Sequence, residues 1–142
     1  MDALAGAPGV RSARFAAEDV PAGAPRAETD RANNRKLLAA MEGVPPERRT
    51  ARFVCRLALA DGERIVLEAE GAFEGQIGTA PRGDNGFGYD PVFLPAGLDR
   101  SAAELSATEK NAFSHRGQAA RQFARQLKEL LDGAAEDAKH RK

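Results

Sequence analysis

The spacing of apolar residues changes along the chain from a helical period to a strand period. Between residues 27 and 42, apolar side chains recur at intervals of three and four, which predicts a helix that Gly43 and the prolines after it end. From Thr50 to Ala60 apolar and polar residues alternate, which predicts a half-buried strand. Residues 1–10 and 20–25 are rich in Ala, Gly and Pro and predict loops. A chain that mixes both periods predicts an α/β protein.

A turn signal at Asp61-Gly62 separates the first strand from a second alternating run over residues 65–70. This arrangement predicts a β-hairpin. A short third strand over residues 73–77 would extend the hairpin into a meander. Farther along the chain, residues 91–95 suit a buried strand.

Two helices are predicted in the last part of the chain. Ser106 and Glu109 have the spacing of a capping box, so a helix is expected to start there. Ser114 is a candidate cap for a second helix, whose apolar stripe is expected to end at Gly133. Residues 134–142 are small and polar, and they predict a frayed, disordered tail.

Length and composition limit the class of protein. At 142 residues, the chain is long enough for one domain, predicted over residues 1–133, with a tail behind it. Lys plus Arg and Asp plus Glu both number 21, so bulk charge favours neither duplex nucleic acid nor a membrane surface as a partner. Cys55 is the single cysteine, which excludes an internal disulfide and predicts a core thiol in a reducing compartment. Without an apolar run of about 18 residues or a signal sequence, a cytoplasmic protein is expected.

The segment from Arg82 to Pro91 is the most unusual stretch of the sequence. It contains three glycines, two aromatic residues and two acids within ten residues. Glycines permit positive φ values and let a backbone lie close to a ligand. The segment therefore predicts a ligand-binding loop with an aromatic face and a carboxylate.

Polar residues that could line a pocket with this loop follow it in the sequence. Lys110 precedes Ser114 by about one helical turn, and amides at a helix start carry a partial positive charge that suits an anion. The alternative is that Ser114 is an ordinary cap, that the charges are solvated and that the aromatic residues belong to the core. The pattern alone thus indicates a ligand-binding α/β domain. The candidate residues are Phe87, Tyr89, Asp90, Lys110, Ser114, His115 and Arg116.

Several common signatures are absent from the sequence. The glycines Gly83, Gly86 and Gly88 reverse the dinucleotide-binding fingerprint, and no Walker lysine follows them. Two histidines are too few for a site built on several of them.

Five blocks of sequence, in order, resemble the inosine triphosphate pyrophosphatases of the Ham1/RdgB type. The resemblance covers nearly the whole chain from Asp2 to about Leu131, and five ordered blocks are far more specific than any one of them. The blocks are Gly6–Phe15, Asn33–Leu38, Gly86–Pro91, Ala103–Leu105 with Glu109-Lys110, and Ser114–Gly117.

The resemblance implies a fold and an activity. The expected fold is a mixed, largely antiparallel long central sheet with flanking helices. The expected activity is the hydrolysis of the non-standard purine nucleotides ITP, dITP and XTP to the monophosphate and pyrophosphate, with Mg²⁺, by a homodimer.

The resemblance also assigns roles to residues that match its motifs. Phe87, Gly88, Tyr89 and Asp90 would line the base and nucleoside site, with Phe87 as the stacking ring. Lys110 would contact the substrate, His115 and Arg116 would read the edge of the base, and Ser114 is a possible further contact.

The chain departs from the family pattern at its beginning. The family's phosphate-binding loop and the acid that serves as base and metal ligand would precede Met1, so no catalytic or metal-binding residue is assigned here. The sequence is thus expected to be an incomplete domain with impaired activity. The alternative is a non-catalytic purine-nucleotide-binding or dimerisation module.

Overall fold

The structure, a computed structural model, describes residues 1–140, excluding the side chains of Ala134 and of residues 137–140. Its main elements are three helices and three strands, joined by short 3₁₀ turns. The elements are α1 (Arg26–Ala40), β1 (Thr50–Asp61), β2 (Arg64–Ile77), β3 (Phe93–Pro95), α2 (Ala107–Phe113) and α3 (His115–His140).

The strands form one sheet in the order β1-β2-β3. β3 runs antiparallel to β2, with Gly75 opposite Pro95 and Ile77 opposite Phe93. The turn between β1 and β2 is made by Gly62, whose φ is +60°, and Glu63. An antiparallel sheet with helices agrees with the predicted fold class.

The hairpin and the first helix were predicted correctly, but the predicted third strand was wrong. Residues 73–77 continue β2 without a break, and the third strand of the sheet is Phe93–Pro95. Gly71 lies inside β2, where a Cβ would collide with backbone atoms of α3 at His115 and Ala119.

Two predicted boundaries at the ends of the chain were also wrong. Helix α3 continues through Gly133 to His140, so Gly133 does not end it and a helix occupies residues 134–140 of the expected tail. At the front, part of the predicted loop is 3₁₀ turn, over Asp2–Leu4 and Gly9–Arg14. Residues 141–142 lie outside the described part of the chain.

The chain separates into two compact units. The first contains Met1–Arg52 and Glu74–Lys110, and the second contains Phe53–Phe73 and Asn111–Lys142. Fully buried side chains in the first unit include Leu37, Met41, Val92, Phe93 and Leu105. Buried apolar residues of the second unit include Leu67, Ala69, Phe73 and Ala119, whereas Cys55 is only half-buried.

Arg49 is a buried cation that joins the end of α1 to the end of β2. Its side chain donates to the carbonyls of Ile77 and Met41 at 2.7 Å each, and to that of Gly78 at 2.7 Å. A fourth bond reaches Val44 at 3.2 Å. These carbonyls lie at the ends of α1 and β2, where the regular hydrogen bonding of the helix and the strand stops. The guanidinium therefore donates to acceptors that this regular hydrogen bonding does not reach.

Asn33 fixes the segment before α1. Its Oδ1 accepts from the Ala16 amide at 2.7 Å, and its Nδ2 donates to the Ala13 carbonyl at 3.2 Å. The side chain is only 1% exposed. The Asn33 amide therefore provides the segment before α1 with hydrogen bonds that its backbone would otherwise make in a helix or a sheet.

No helix in residues 1–140 has both the length and the apolar character needed to cross a membrane.

Candidate functional site

The loop from Arg82 to Pro91 is fastened to the segment that precedes α2. The Asn85 amide donates to the Ala103 carbonyl at 2.9 Å, and the Asn85 side chain donates to the Leu105 carbonyl at 3.2 Å. Gly83 has φ +81°, and a Cβ there would lie 2.5 Å from the Ala103 carbonyl carbon. The glycine therefore permits the close approach on which these bonds depend.

Asp90 organises the other half of this loop. Its carboxylate is 3% exposed, accepts a hydrogen bond from the Phe87 amide at 2.8 Å and pairs with the Lys110 ammonium. Gly86 has φ +75°, and a Cβ there would collide with the same carboxylate oxygen. Asp90 thus couples the shape of the loop to the position of Lys110, while its predicted direct contact with a nucleoside stays a prediction.

Phe87 is 43% exposed, so its aromatic side chain is accessible from solvent. The Lys110 ammonium lies 4.6 Å from its centroid and the Arg26 guanidinium 5.1 Å from it. Two cations thus lie over one ring. The quadrupole of the ring attracts them electrostatically. The loop presents an aromatic surface next to positive charge, as a site for an anionic aromatic ligand requires.

Helix α1 holds the backbone of Gly88. The Gly88 amide donates to Asp30 Oδ2 at 2.8 Å, and the Gly88 carbonyl accepts from Asn34 Nδ2 at 3.0 Å. Sequence reasoning gave no role to these side chains. Their spacing of four residues, which puts both on one face of the predicted helix, was the signal available.

Tyr89 is buried, and its hydroxyl donates to the Ser12 carbonyl at 2.6 Å. Burial raises the pKa of the phenol, and the negative charge of Asp30 adds to the increase. The hydroxyl therefore stays protonated and links the loop to the N-terminal segment. A contact of Tyr89 with a ligand stays a prediction.

Lys110 is carried by α2, whose predicted capping box is confirmed. The Glu109 amide donates to Ser106 Oγ at 3.2 Å, and the Ser106 amide donates to Glu109 Oε2 at 2.8 Å. An unpredicted second box joins Ser101 and Glu104. The Ser106 box fixes the start of α2 and with it the position from which Lys110 extends.

Lowering the pH is expected to weaken the start of α2 through Glu109. A hydrogen bond from Arg100 and another from the Ser106 amide lower the pKa of Glu109 from 4.5 to about 2. This stabilisation is fully present above the ordinary pKa and is lost as the pH falls towards the folded-state value. Urea unfolding between about pH 5 and pH 2 should therefore show a steeper loss of stability for the unaltered chain than for Glu109→Gln.

The matched control for this pH dependence is Glu63→Gln, which removes an exposed carboxyl in the β1–β2 turn. Glu63→Gln should keep the steep slope of the unaltered chain. Equal slopes for Glu109→Gln and the unaltered chain would contradict the assignment.

The remaining predicted residues belong to the second unit. Ser114 is 4% exposed and caps α3, with its Oγ accepting from the Gly117 amide at 3.1 Å. The His115 ring stacks on Phe53, with centroids 5.0 Å apart and an angle of 14° between the planes. Arg116 is exposed. The structure thus brings together Phe87, Gly88, Asp90 and Lys110 in the first unit, and the roles of the second-unit residues stay predictions.

Within residues 1–140, no group of three or more His, Cys, Asp or Glu side chains could hold a metal ion.

The model of the Ham1 family matches residues 1–126 of the chain. The chain belongs to the Ham1 family. The matched range contains the whole Arg82–Pro91 loop, α2 and the start of α3.

Relatives of this Ham1 chain are similar along nearly all of it. A dITP/XTP pyrophosphatase from Exiguobacterium sibiricum is 50% identical over 131 residues, and one from Frankia alni is 49% identical over 131 residues. These alignments cover 92% of the chain in both cases, but only 62% and 63% of the relatives. The chain thus spans less than two thirds of the length of these proteins.

Solved structures show the same fold. A HAM1 protein from Coxiella burnetii matches with a TM-score of 0.77 and 42% identity, covering 89% of this chain and 61% of that one. A Ham1 protein from Staphylococcus aureus matches with a TM-score of 0.74 and 34% identity, covering 93% and 62%.

Proposed function

We propose that this Ham1 chain serves the hydrolysis of non-standard purine nucleoside triphosphates, such as ITP, dITP and XTP, to the monophosphate and pyrophosphate. The observation that carries the proposal is the exposed Phe87 ring, held by Asp90 next to the Lys110 ammonium. This site lies in a chain 50% identical to a dITP/XTP pyrophosphatase. The purine would stack on Phe87, and Lys110, placed by its ion pair with Asp90, would contact the nucleotide.

Specificity for these purines is proposed to come from donors at the 6-position. Hypoxanthine and xanthine carry a 6-oxo acceptor there, whereas adenine carries an amino group. A donor aimed at that position is satisfied by the oxo group and left unpaired by the amino group. His115 and Arg116 are the residues proposed to read this edge.

Mg²⁺ is proposed to assist the reaction, as in phosphoryl transfer generally, where it neutralises developing charge on the phosphates. Mg²⁺ is commonly held by one or two carboxylates together with the phosphates of the substrate. A homodimer and a cytoplasmic location complete the proposal.

The direct test compares dITP with ATP. The proposal expects pyrophosphate release from dITP in the presence of Mg²⁺, above that from ATP, and its abolition by EDTA. Calorimetric titration should show ITP binding at least about tenfold more tightly than ATP. Selective binding without pyrophosphate release would favour a nucleotide-binding module, and no preference over ATP would refute the proposed substrate class.

Arg116→Ala is expected to reduce the preference for ITP over ATP by about tenfold, because it removes a donor to the 6-oxo group. The measurement is the ratio of the two dissociation constants. Arg125→Ala removes an exposed arginine from the same helix and should leave this ratio unchanged. An unaltered ratio in Arg116→Ala would remove Arg116 from the proposal.

A further inference from the structure

Two side chains on one face of α1 form hydrogen bonds with the backbone of a single glycine of the candidate site. Asp30 accepts from the Gly88 amide and Asn34 donates to the Gly88 carbonyl, at 2.8 and 3.0 Å. Because Gly88 directly follows Phe87, these two bonds bear on the position of the exposed ring. We infer that Asp30 and Asn34 are positioning residues that hold Phe87 in the orientation needed for a purine. This inference rests on the proposed function.

The space in which a side chain at position 88 would lie is open. The φ of Gly88 is +63°, which favours glycine, but a Cβ at this position would meet no atom within 4 Å. No close packing at that position can thus take over from the hydrogen bonds. The shape of the backbone beside Phe87 is set by Asp30 and Asn34, so their removal should release it.

Asn34 is not arranged for stability alone. The residue is 7% exposed, and its Oδ1 has no hydrogen-bond partner within the described part of the chain, although the Nδ2 of the same amide donates to Gly88. A buried acceptor without a donor costs free energy, so such a group in a folded protein needs a reason to be there. Holding the Gly88 carbonyl is the function that the contacts of Asn34 provide.

Asp30 also links the hydrogen bonds at Gly88 to the Arg26 guanidinium that lies over the Phe87 ring. Its carboxylate lies 3.8 Å from the Arg26 guanidinium, and the Arg26 guanidinium lies 5.1 Å from the Phe87 centroid. On the other side of Phe87 in the sequence, Asp90 holds the Phe87 amide. The ring is thus flanked in sequence by two anchored peptide groups, one held by Asp90 and one by α1.

The test uses Asp30→Ala, Asn34→Ala and the double variant, with ITP as the probe. Calorimetry gives the dissociation constant, amide hydrogen exchange measured by NMR reports on Gly88, and thermal unfolding checks the fold. Each single variant should weaken ITP binding about tenfold and speed Gly88 exchange by at least about that factor. The double variant should weaken binding by less than the product of the two effects, since both side chains act on one glycine.

Two control variants separate positioning from a general effect on α1. Glu28→Ala makes the same kind of change two residues before Asp30 and should leave the dissociation constant and the Gly88 exchange rate unchanged. Asp30→Asn keeps an acceptor oxygen and should recover most of the affinity that Asp30→Ala loses.

The outcomes distinguish this inference from the proposed function. A lower melting temperature with an unchanged dissociation constant for ITP would show a merely structural role and overturn the inference. Failure of the unaltered chain to bind ITP would count against the proposed function. In that case the Gly88 exchange rates alone decide the positioning role, and rates that do not rise in both single variants refute it.

Discussion

Replacing Asp90 by asparagine is expected to lower the affinity for ITP by about a hundredfold and the free energy of unfolding by about 3 kcal/mol. The Asp90 side chain is 4% exposed, and the Lys110 side chain that it neutralises is 16% exposed. A neutral amide in place of the carboxylate would leave that ammonium largely buried without a counter-charge. The substitution would also weaken the bond that holds the Phe87 amide, so loop and lysine would lose their positions together.

Asp84→Asn is the matched control, because it makes the same chemical change at an exposed position of the same loop. Urea unfolding and calorimetric titration with ITP measure the two effects. An Asp90→Asn variant that behaves like Asp84→Asn in both measurements would contradict the central role given to Asp90.

The second large effect concerns stability alone. Arg49→Met is expected to lower the free energy of unfolding by about 3–5 kcal/mol, since several buried carbonyls would lose their donor. Arg49→Lys should recover only part of this loss, because an ammonium has three donors on one atom and cannot match the guanidinium fork. Chemical denaturation provides the measurement.

Arg48 provides the control for Arg49, since it is exposed and adjacent in the sequence. Arg48→Met should change the free energy of unfolding by less than about 0.5 kcal/mol. A loss in Arg49→Met that is no larger would show that the carbonyls of Met41, Ile77 and Gly78 find other donors.

What the sequence reveals depends on how far apart the interacting residues are. The Ser106–Glu109 capping box can be predicted because its two residues are three positions apart. Strand β1 can be predicted because the alternation of apolar and polar residues is a local pattern. Arg49 is not readable as a buried residue, since its acceptors lie as far as 29 residues away. Without those acceptors in view, an arginine beside another arginine looks like solvated charge.

The meaning of a glycine in the sequence depends on its tertiary surroundings. One glycine can be required by a neighbouring element, and another can be tolerated because it costs little free energy of folding. Gly71 is needed inside β2 because α3 passes close to the strand there. Gly133 suggested a helix end, but a glycine in an exposed helix costs only about 1 kcal/mol relative to alanine and need not stop it. Only the neighbouring elements decide between these meanings.

The residues of the candidate site also fall into those that the sequence indicates and those that only the fold reveals. Phe87, Asp90 and Lys110 stand out because of their chemistry and because of the family resemblance. Asn34 belongs to a block of the family resemblance and Asp30 to none, but both act on backbone atoms 54 to 58 residues away, so the sequence indicated no role for either of them. Side chains that support a loop from a distant helix need the fold before they can be found.

The anchoring of Tyr89 gives this chain an optical probe at its candidate site. The sequence contains one tyrosine and no tryptophan, so its intrinsic fluorescence comes essentially from Tyr89. That ring is buried beside the Phe87 loop, with its hydroxyl on Ser12 and its pKa raised. Emission intensity and the alkaline absorbance change of tyrosinate therefore report on one defined position without any label, and opening of the loop becomes visible in a cuvette.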